Sequence, residues 1–180
     1  MKLVILDRDG VVNEDSEEFI KSVAEWKPIP GSLEAIAQLC QAGYQVCIAS
    51  NQSGIGRGLL DYDALFAIHG RLQRAVAELG GRISAIAFAP EAPEQATEMR
   101  KPAPGMLKDL ARRFQVSLEN VPFVGDSSSD LEAGQAAGAR PILVLSGNGE
   151  RTKKEHDLGD IPVYKDLSEF ARTWIAHSAT

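Results

Sequence analysis

Short apolar runs alternate with stretches of helical periodicity along nearly the whole chain, and that alternation admits few folds. Residues 3–6, 45–49, 83–88, 122–124 and 141–145 read as strands, with a last short one at Val163. Between them lie helical patterns. Leu33, Ile36, Ala37 and Leu39/Cys40 mark one face of a helix that Ser32 can cap and Gly43 stops. Leu65, Ile68, Leu72, Ala75, Val76 and Leu79 mark a longer one, begun at Asp61 and stopped by Gly80-Gly81. Further helices are expected at 105–114, at 129–137 and from Leu167. Strands alternating with helices predict an α/β fold of three Rossmann-like layers, a parallel sheet with helices on both faces. At 180 residues the chain has the size of one domain, expected to span 1–180.

Charge narrows the partners. The net charge of −6 argues against nonspecific binding to nucleic acid or to an anionic membrane surface. No apolar run is long enough to span a bilayer, and the N-terminus lacks a signal-peptide layout. A cytoplasmic monomer acting on a small molecule is the expectation. The two cysteines, Cys40 and Cys47, fall in a helix and a strand and read as reduced core residues.

In open parallel sheets, sites form beyond the carboxyl ends of the strands. Those loops carry the chemistry. After the first strand come Asp7 and Asp9, two carboxylates two residues apart, which would point the same way if the strand continued. Like charges that close need a positive partner, and a Mg²⁺ ion suits an oxygen-only donor set. After the second strand come Ser50-Asn51-Gln52-Ser53-Gly54, after the third Arg100-Lys101-Pro102, and after the fourth Gly125-Asp126 with Asp130. Each has a bland reading. Asp-x-Asp-Gly and Ser50-Asn51 suit turns or caps, Arg100-Lys101 a solvated pair, and Asp126 a helix cap. Four such features at the ends of four successive strands make a nucleophile, a metal site and donors for phosphoryl oxygens.

These motifs resemble those of the haloacid-dehalogenase-like phosphatase superfamily. The strings Asp7-Arg-Asp-Gly-Val-Val-Asn13, Ser50-Asn-Gln-Ser-Gly-Ile-Gly-Arg57-Gly and Arg100-Lys-Pro-Ala-Pro-Gly-Met106 are similar to its subgroup of heptose-bisphosphate and histidinol-phosphate phosphatases. The resemblance implies Mg²⁺-dependent hydrolysis of a sugar phosphate monoester through an aspartyl-phosphate. The C7 phosphate of a heptose 1,7-bisphosphate leads. Histidinol phosphate, a polynucleotide 3′-phosphate and a non-catalytic binding module are the rivals. It implies that Asp7 is the nucleophile and Asp9 the general acid and base, the latter with its pKa raised. Ser50 and Lys101 would hold the phosphoryl oxygens. The Asp7 and Asp126 carboxylates and the Asp9 carbonyl would hold Mg²⁺. Asn51, Gln52, Ser53 and Arg100 would contact substrate, as would Asp15, which lies close in sequence to the Asp-x-Asp loop.

The chain departs from the subgroup twice. Its zinc-binding Cys-x-His and Cys-x-Cys are missing from residues 88–99, which hold neither Cys nor His, so no zinc is expected there. Proline stiffness and packing of Phe88 and Met99 are expected to hold the loop instead. Ser127 stands where relatives often carry Lys, and Arg57 is a candidate to replace that contact as readily as a solvated side chain. Residues 15–30 are too short for a cap domain and read as a flap packed through Phe19, Ile20, Val23 and Trp26.

Overall fold

The apolar runs form six strands in the computed structural model, which describes residues 1–178. They are β1 (Lys2–Leu6), β2 (Tyr44–Asn51), β3 (Ile83–Ala89), β4 (Pro122–Gly125), β5 (Arg140–Val144) and β6 (Val163–Tyr164). Seven helices alternate with them: α1 (Ser32–Gln41), α2 (Ser53–Gly56), α3 (Tyr62–Glu78), α4 (Gly105–Phe114), α5 (Ser128–Ala137), α6 (Gly149–Glu155) and α7 (Leu167–Ser178). All strand pairs are parallel, in the order β3-β2-β1-β4-β5-β6. The expected α/β fold with helices on both faces is what forms.

Strand β1 shows why its run is apolar throughout. Side chains alternate between faces. Val4 and Leu6 enter a core with Ile36 of α1, Leu65 of α3 and Phe170 of α7. Leu3 and Ile5 enter a second core with Leu107 and Leu110 of α4 and Phe123 of β4. Strand order reverses at β1, whose neighbours are β2 and β4. A crevice opens at such a switch point, beyond the carboxyl ends.

Several local expectations change. Ser32 is the first residue of α1 rather than its cap, and its hydroxyl donates to the Val12 carbonyl. Helix α6 forms within a stretch that reads as merely polar. Only Gly149 and Thr152 of it are buried, so it carries no apolar stripe to announce it. In the flap, Ile20 and Trp26 are buried as expected, but Val23 is exposed. Phe19 adopts a positive φ of 64° and turns to the crevice. Both cysteines are free thiols; Cys47 is buried and Cys40 half-buried. Among the described residues no helix is long and apolar enough to cross a membrane.

Candidate active site

The crevice beyond the strands holds a pocket of about 260 Å³ lined by Asp7, Asp9, Asp15, Asn51, Gln52, Lys101, Asp126, Ser127, Ser129 and Asn148, with Phe19 and Ile20 of the flap. Strand β1 delivers Asp7 to its floor, where the Asp7 amide donates to Val124 O across the switch point (2.8 Å). Strand β4 ends in Gly125 and delivers Asp126 beside it. Approach is tight. A Cβ on Gly10, whose φ is +81°, would lie 2.1 Å from Asp126 Oδ2, and one on Gly147 would lie 2.3 Å from the same atom. Glycine at both positions lets two backbone turns close on that carboxylate.

Lys101 is the cation of the floor. It is 3% exposed. Its Nζ lies 2.9 Å from Asp7 Oδ1, 2.6 Å from Asp130 Oδ1 and 2.9 Å from the Ala49 carbonyl, which takes up all three of its protons. Burial pulls the Lys101 pKa down, but Asp130 and Asp7 more than reverse this and keep the ammonium charged. Asn51 sets where it sits: its Nδ2 donates to Lys101 O (2.9 Å) and its Oδ1 accepts from Lys101 N (3.0 Å). Both polar ends of the Asn51 amide therefore have partners within the protein.

Oxygens of Asp7, Asp126 and Asp130 lie within 4.8 Å of one another. Three buried carboxylates face one ammonium. Burial, then Asp130, raise the Asp7 pKa well above the ordinary range despite Lys101. Burial and Asp130 push Asp126 up to about 7. Negative charge left over in an all-oxygen cluster is what a Mg²⁺ ion relieves, so the residues present fit the metal. Asp130 is not free to join. Its Oδ1 accepts from Lys101, and its Oδ2 accepts from the Asp126 and Ser127 amides and the Ser127 hydroxyl. It anchors the lysine and caps α5. That leaves Asp7 and Asp126 as the candidate carboxylate ligands.

Asp9 sits differently. Its Oδ1 accepts from Arg8 Nε (2.9 Å) and Asn13 Nδ2 (2.9 Å), and its Oδ2 from Arg8 Nη2 (3.2 Å) and Gln52 Nε2 (2.9 Å). Burial pushes its pKa up, but Arg8 and these hydrogen bonds bring it below the ordinary carboxylate value. The expected rise is thus reversed: the nearest charge is a cation.

Among the remaining candidates, Ser50 is buried and its Oγ accepts from Gln52 Nε2 (2.9 Å). Gln52 lines the pocket but spends its amide linking Ser50, Asp9 and Arg8. Asp15 lines the pocket, and its Oδ2 accepts from Asn148 Nδ2 (3.0 Å). Ser53 and Arg100 do not line it. Arg100 Nη1 donates to the Glu91 carbonyl (3.0 Å). Arg57 is paired loosely with Glu94 at 3.9 Å, on the loop side. Ser127 lines the pocket, but its hydroxyl already serves Asp130.

Asn148 was missed by sequence reasoning. Its backbone amide donates to Asp126 Oδ2 at 2.7 Å and its side-chain Nδ2 to Asp15 Oδ2 at 3.0 Å, so it braces both pocket carboxylates. It follows β5, and the carboxyl-end rule applied to the fifth strand as well as the first four would have found it. Arg8 was also missed, hidden between the two aspartates.

A family model described as HAD-hydrolase-like matches residues 98–170. The chain is 50% identical to the D-glycero-beta-D-manno-heptose-1,7-bisphosphate 7-phosphatase of Pseudomonas putida, over 97% of this chain and 100% of that one. The crystal structure of D,D-heptose 1,7-bisphosphate phosphatase from B. bronchiseptica, complexed with magnesium and phosphate, superposes with a TM-score of 0.96. It shares 49% identity and covers 98% of this chain and 99% of that one. The D,D-heptose 1,7-bisphosphate phosphatase of Burkholderia thailandensis gives a TM-score of 0.78 at 45% identity, covering 98% and 99%.

Proposed function

The chain belongs to the haloacid-dehalogenase-like hydrolases, and from its near-full-length likeness to heptose-1,7-bisphosphate 7-phosphatases we propose that it removes the C7 phosphate of D-glycero-D-manno-heptose 1,7-bisphosphate. The observation that carries the chemistry is the buried Asp7 carboxylate 2.9 Å from the Lys101 ammonium, with Asp126 converging on it. A carboxylate attacks an anionic phosphate only where positive charge offsets their repulsion. Lys101 supplies part of that charge. The Asp7 and Asp126 carboxylates and the Asp9 carbonyl would hold a Mg²⁺ ion, which would supply the rest.

Asp7 attacks phosphorus opposite the sugar oxygen. The Asp7–phosphorus bond forms as the ester bond breaks, and Asp9 delivers a proton to the departing oxygen. Water then attacks phosphorus, Asp9 takes its proton, and inorganic phosphate leaves with Asp7 restored. In the pocket without substrate, Asp9 is held ionised. An arriving phosphate brings the negative charge that raises its pKa, and phosphate monoesters titrate near pH 6, so the substrate can carry the proton in. The Ser50 hydroxyl holds one phosphoryl oxygen, and Lys101 holds another with the N–H that otherwise goes to Asp7. Asn51 fixes Lys101, Gln52 ties Ser50 to Asp9, and Asp15 meets a sugar hydroxyl. Ser53 and Arg100 contact the part of the substrate that extends beyond the pocket.

One chain supplies every group the proposed reaction needs, which supports residues 1–180 as one phosphatase domain working as a monomer; a cytoplasmic location is part of the proposal. The test is a panel of both heptose 1,7-bisphosphate anomers and histidinol phosphate, assayed by phosphate release with Mg²⁺. The expected result is a kcat/KM for one heptose anomer at least about 100-fold above that for histidinol phosphate. Preference for histidinol phosphate would overturn the substrate.

A further inference from the structure

Arg8 is the largest fully buried side chain of the protein, at 0% exposure. Burying a guanidinium costs several kcal/mol unless its partners compensate. Its carboxylate partner is Asp9, the next residue. An ion pair between neighbours in sequence closes no loop and ties no two elements together. Lys101, by contrast, joins the ends of β1 and α5 through Asp7 and Asp130. The Arg8 bond outside its own loop is the long one to Gln52 Oε1 (3.3 Å), so tertiary stapling gives a poor account of Arg8.

What the pair does is fix a rotamer. The Arg8 fork meets both Asp9 oxygens, through Nε at 2.9 Å and Nη2 at 3.2 Å. Asn13 Nδ2 holds Oδ1, and Gln52 Nε2 holds Oδ2. Gln52 Oε1 in turn accepts from Arg8 Nη2 (3.3 Å), which locks the amide orientation. Three side chains donate to the two Asp9 oxygens and leave the carboxylate one orientation, with 22% of the side chain still exposed. That orientation faces the pocket. Turn geometry keeps Arg8 in place, since its carbonyl accepts from the amides of Val11, Val12 and Asn13.

We infer that Arg8 is a positioning residue for the proton-transfer carboxylate, with Asn13 and Gln52 completing its clamp. The inference rests on the reading of Asp9 as general acid and base. The residue between the two aspartates thereby holds Asp9 at the place where it serves both the departing oxygen and the incoming water.

The two half-reactions make this testable. An aryl phosphate with an acidic leaving group, p-nitrophenyl phosphate, leaves without a proton donor, but hydrolysis of the aspartyl-phosphate still needs the base. Arg8→Lys keeps the charge and loses the planar fork. On the heptose bisphosphate it is expected to lower kcat about 10–100-fold with KM changed less than about threefold. On p-nitrophenyl phosphate it is expected to release a stoichiometric burst of nitrophenol followed by slow turnover. General structural damage slows the first step too and gives no burst. Asp9→Asn is the control. If it shows no burst, the reading of Asp9 fails. If it shows the burst and Arg8→Lys does not, Arg8 alone is wrongly assigned. Should Arg8→Lys fail to fold, Gln52→Met removes one clamp donor and is expected to give the same burst with a smaller loss; its absence there overturns the clamp.

Discussion

Asp7 and Asp9 stand two residues apart on one loop, yet their surroundings drive them in opposite directions. Asp7 is raised by burial and by Asp130, because the one cation it meets, Lys101, is shared. Asp9 is half-buried and desolvation pushes it up as well, but it owns a guanidinium and two amides, and its pKa falls. Burial alone predicts the same shift for both. The number of donors each carboxylate has to itself decides the difference. The Asp7 half is short of positive charge and so suited to a metal and a phosphate. The Asp9 half is complete before substrate arrives and suited to holding one geometry.

Substituting the nucleophile tests this contrast with the largest effect. Asp7→Asn leaves an amide that cannot form the acyl phosphate. Turnover is expected to fall by about three orders of magnitude or more, equally for heptose bisphosphate and p-nitrophenyl phosphate. That uniform loss sets it apart from damage on the Asp9 side, which depends on the leaving group. Retention of more than about a tenth of the activity would remove Asp7 from its role.

Metal removal probes the Asp7 half alone. With no divalent ion, Asp126 has a folded pKa of about 7, above its unfolded value. A carboxylate raised on folding destabilises the fold where it must ionise. Stability of the metal-free protein is therefore expected to decline as pH rises from about 4 through about 7. Mg²⁺ opposes that decline, so the gain in Tm on adding it should grow over the same window. A gain of at least about 5 °C at pH 8, shrinking toward pH 5, is expected from thermal unfolding with and without chelator. A gain independent of pH would mean that Asp126 does not meet the ion.

The Asp7 half was largely legible in the sequence and the Asp9 half was not. Asp7, Lys101 and Asp126 come from the ends of three strands, so reading those ends together finds them. Apolar runs gave the sheet for the same reason: β1 is buried on both faces and cannot be anything but apolar. Asp9's partners are local. Arg8 and Asn13 lie in its own loop, and nothing in the pattern Asp-Arg-Asp tells which way the arginine folds back. Gln52 looked like a substrate contact because its loop does reach the pocket; only geometry shows its amide consumed by Asp9, Ser50 and Arg8. The rise foreseen for Asp9 rested on partial burial and a neighbouring negative charge; burial does push it up, but the nearest charge is positive and outweighs it together with the hydrogen bonds. Asn148 escaped because it introduces a polar helix with no apolar stripe.

The smallest expected effect concerns residues 90–100, which adjoin Lys101 but hold Arg100. Proline stiffness and packing of Phe88 and Met99 were expected to fix this loop; Phe88, at its base, does pack against Tyr62, Phe66 and His69, but Met99 is 36% exposed. Polar links do the holding. The Glu91 carboxylate accepts from the Thr97 amide (3.3 Å) and hydroxyl, and Thr97 Oγ1 accepts from the Met99 amide (3.1 Å). Gly56 N donates to Pro90 O and Gly105 N to Glu98 O, both at 2.8 Å, so the loop is pinned to α2 and α4. Such exposed links are each worth about 1 kcal/mol or less. Thr97→Val should lower Tm by no more than about 4 °C. It should weaken Arg100, whose guanidinium rests on Glu91 O, and spare Lys101, which Asn51 fixes independently. The expected kinetic signature, on the proposal that Arg100 contacts substrate away from phosphorus, is a KM for heptose bisphosphate raised a few-fold with kcat unchanged. A fall in kcat would show that the loop reaches the Asp7 half after all. With no thiolate or imidazole in 88–99, a zinc-selective chelator should leave Tm where it was. Near-stoichiometric zinc by elemental analysis of the untagged protein would replace this account of the loop with a metal clamp.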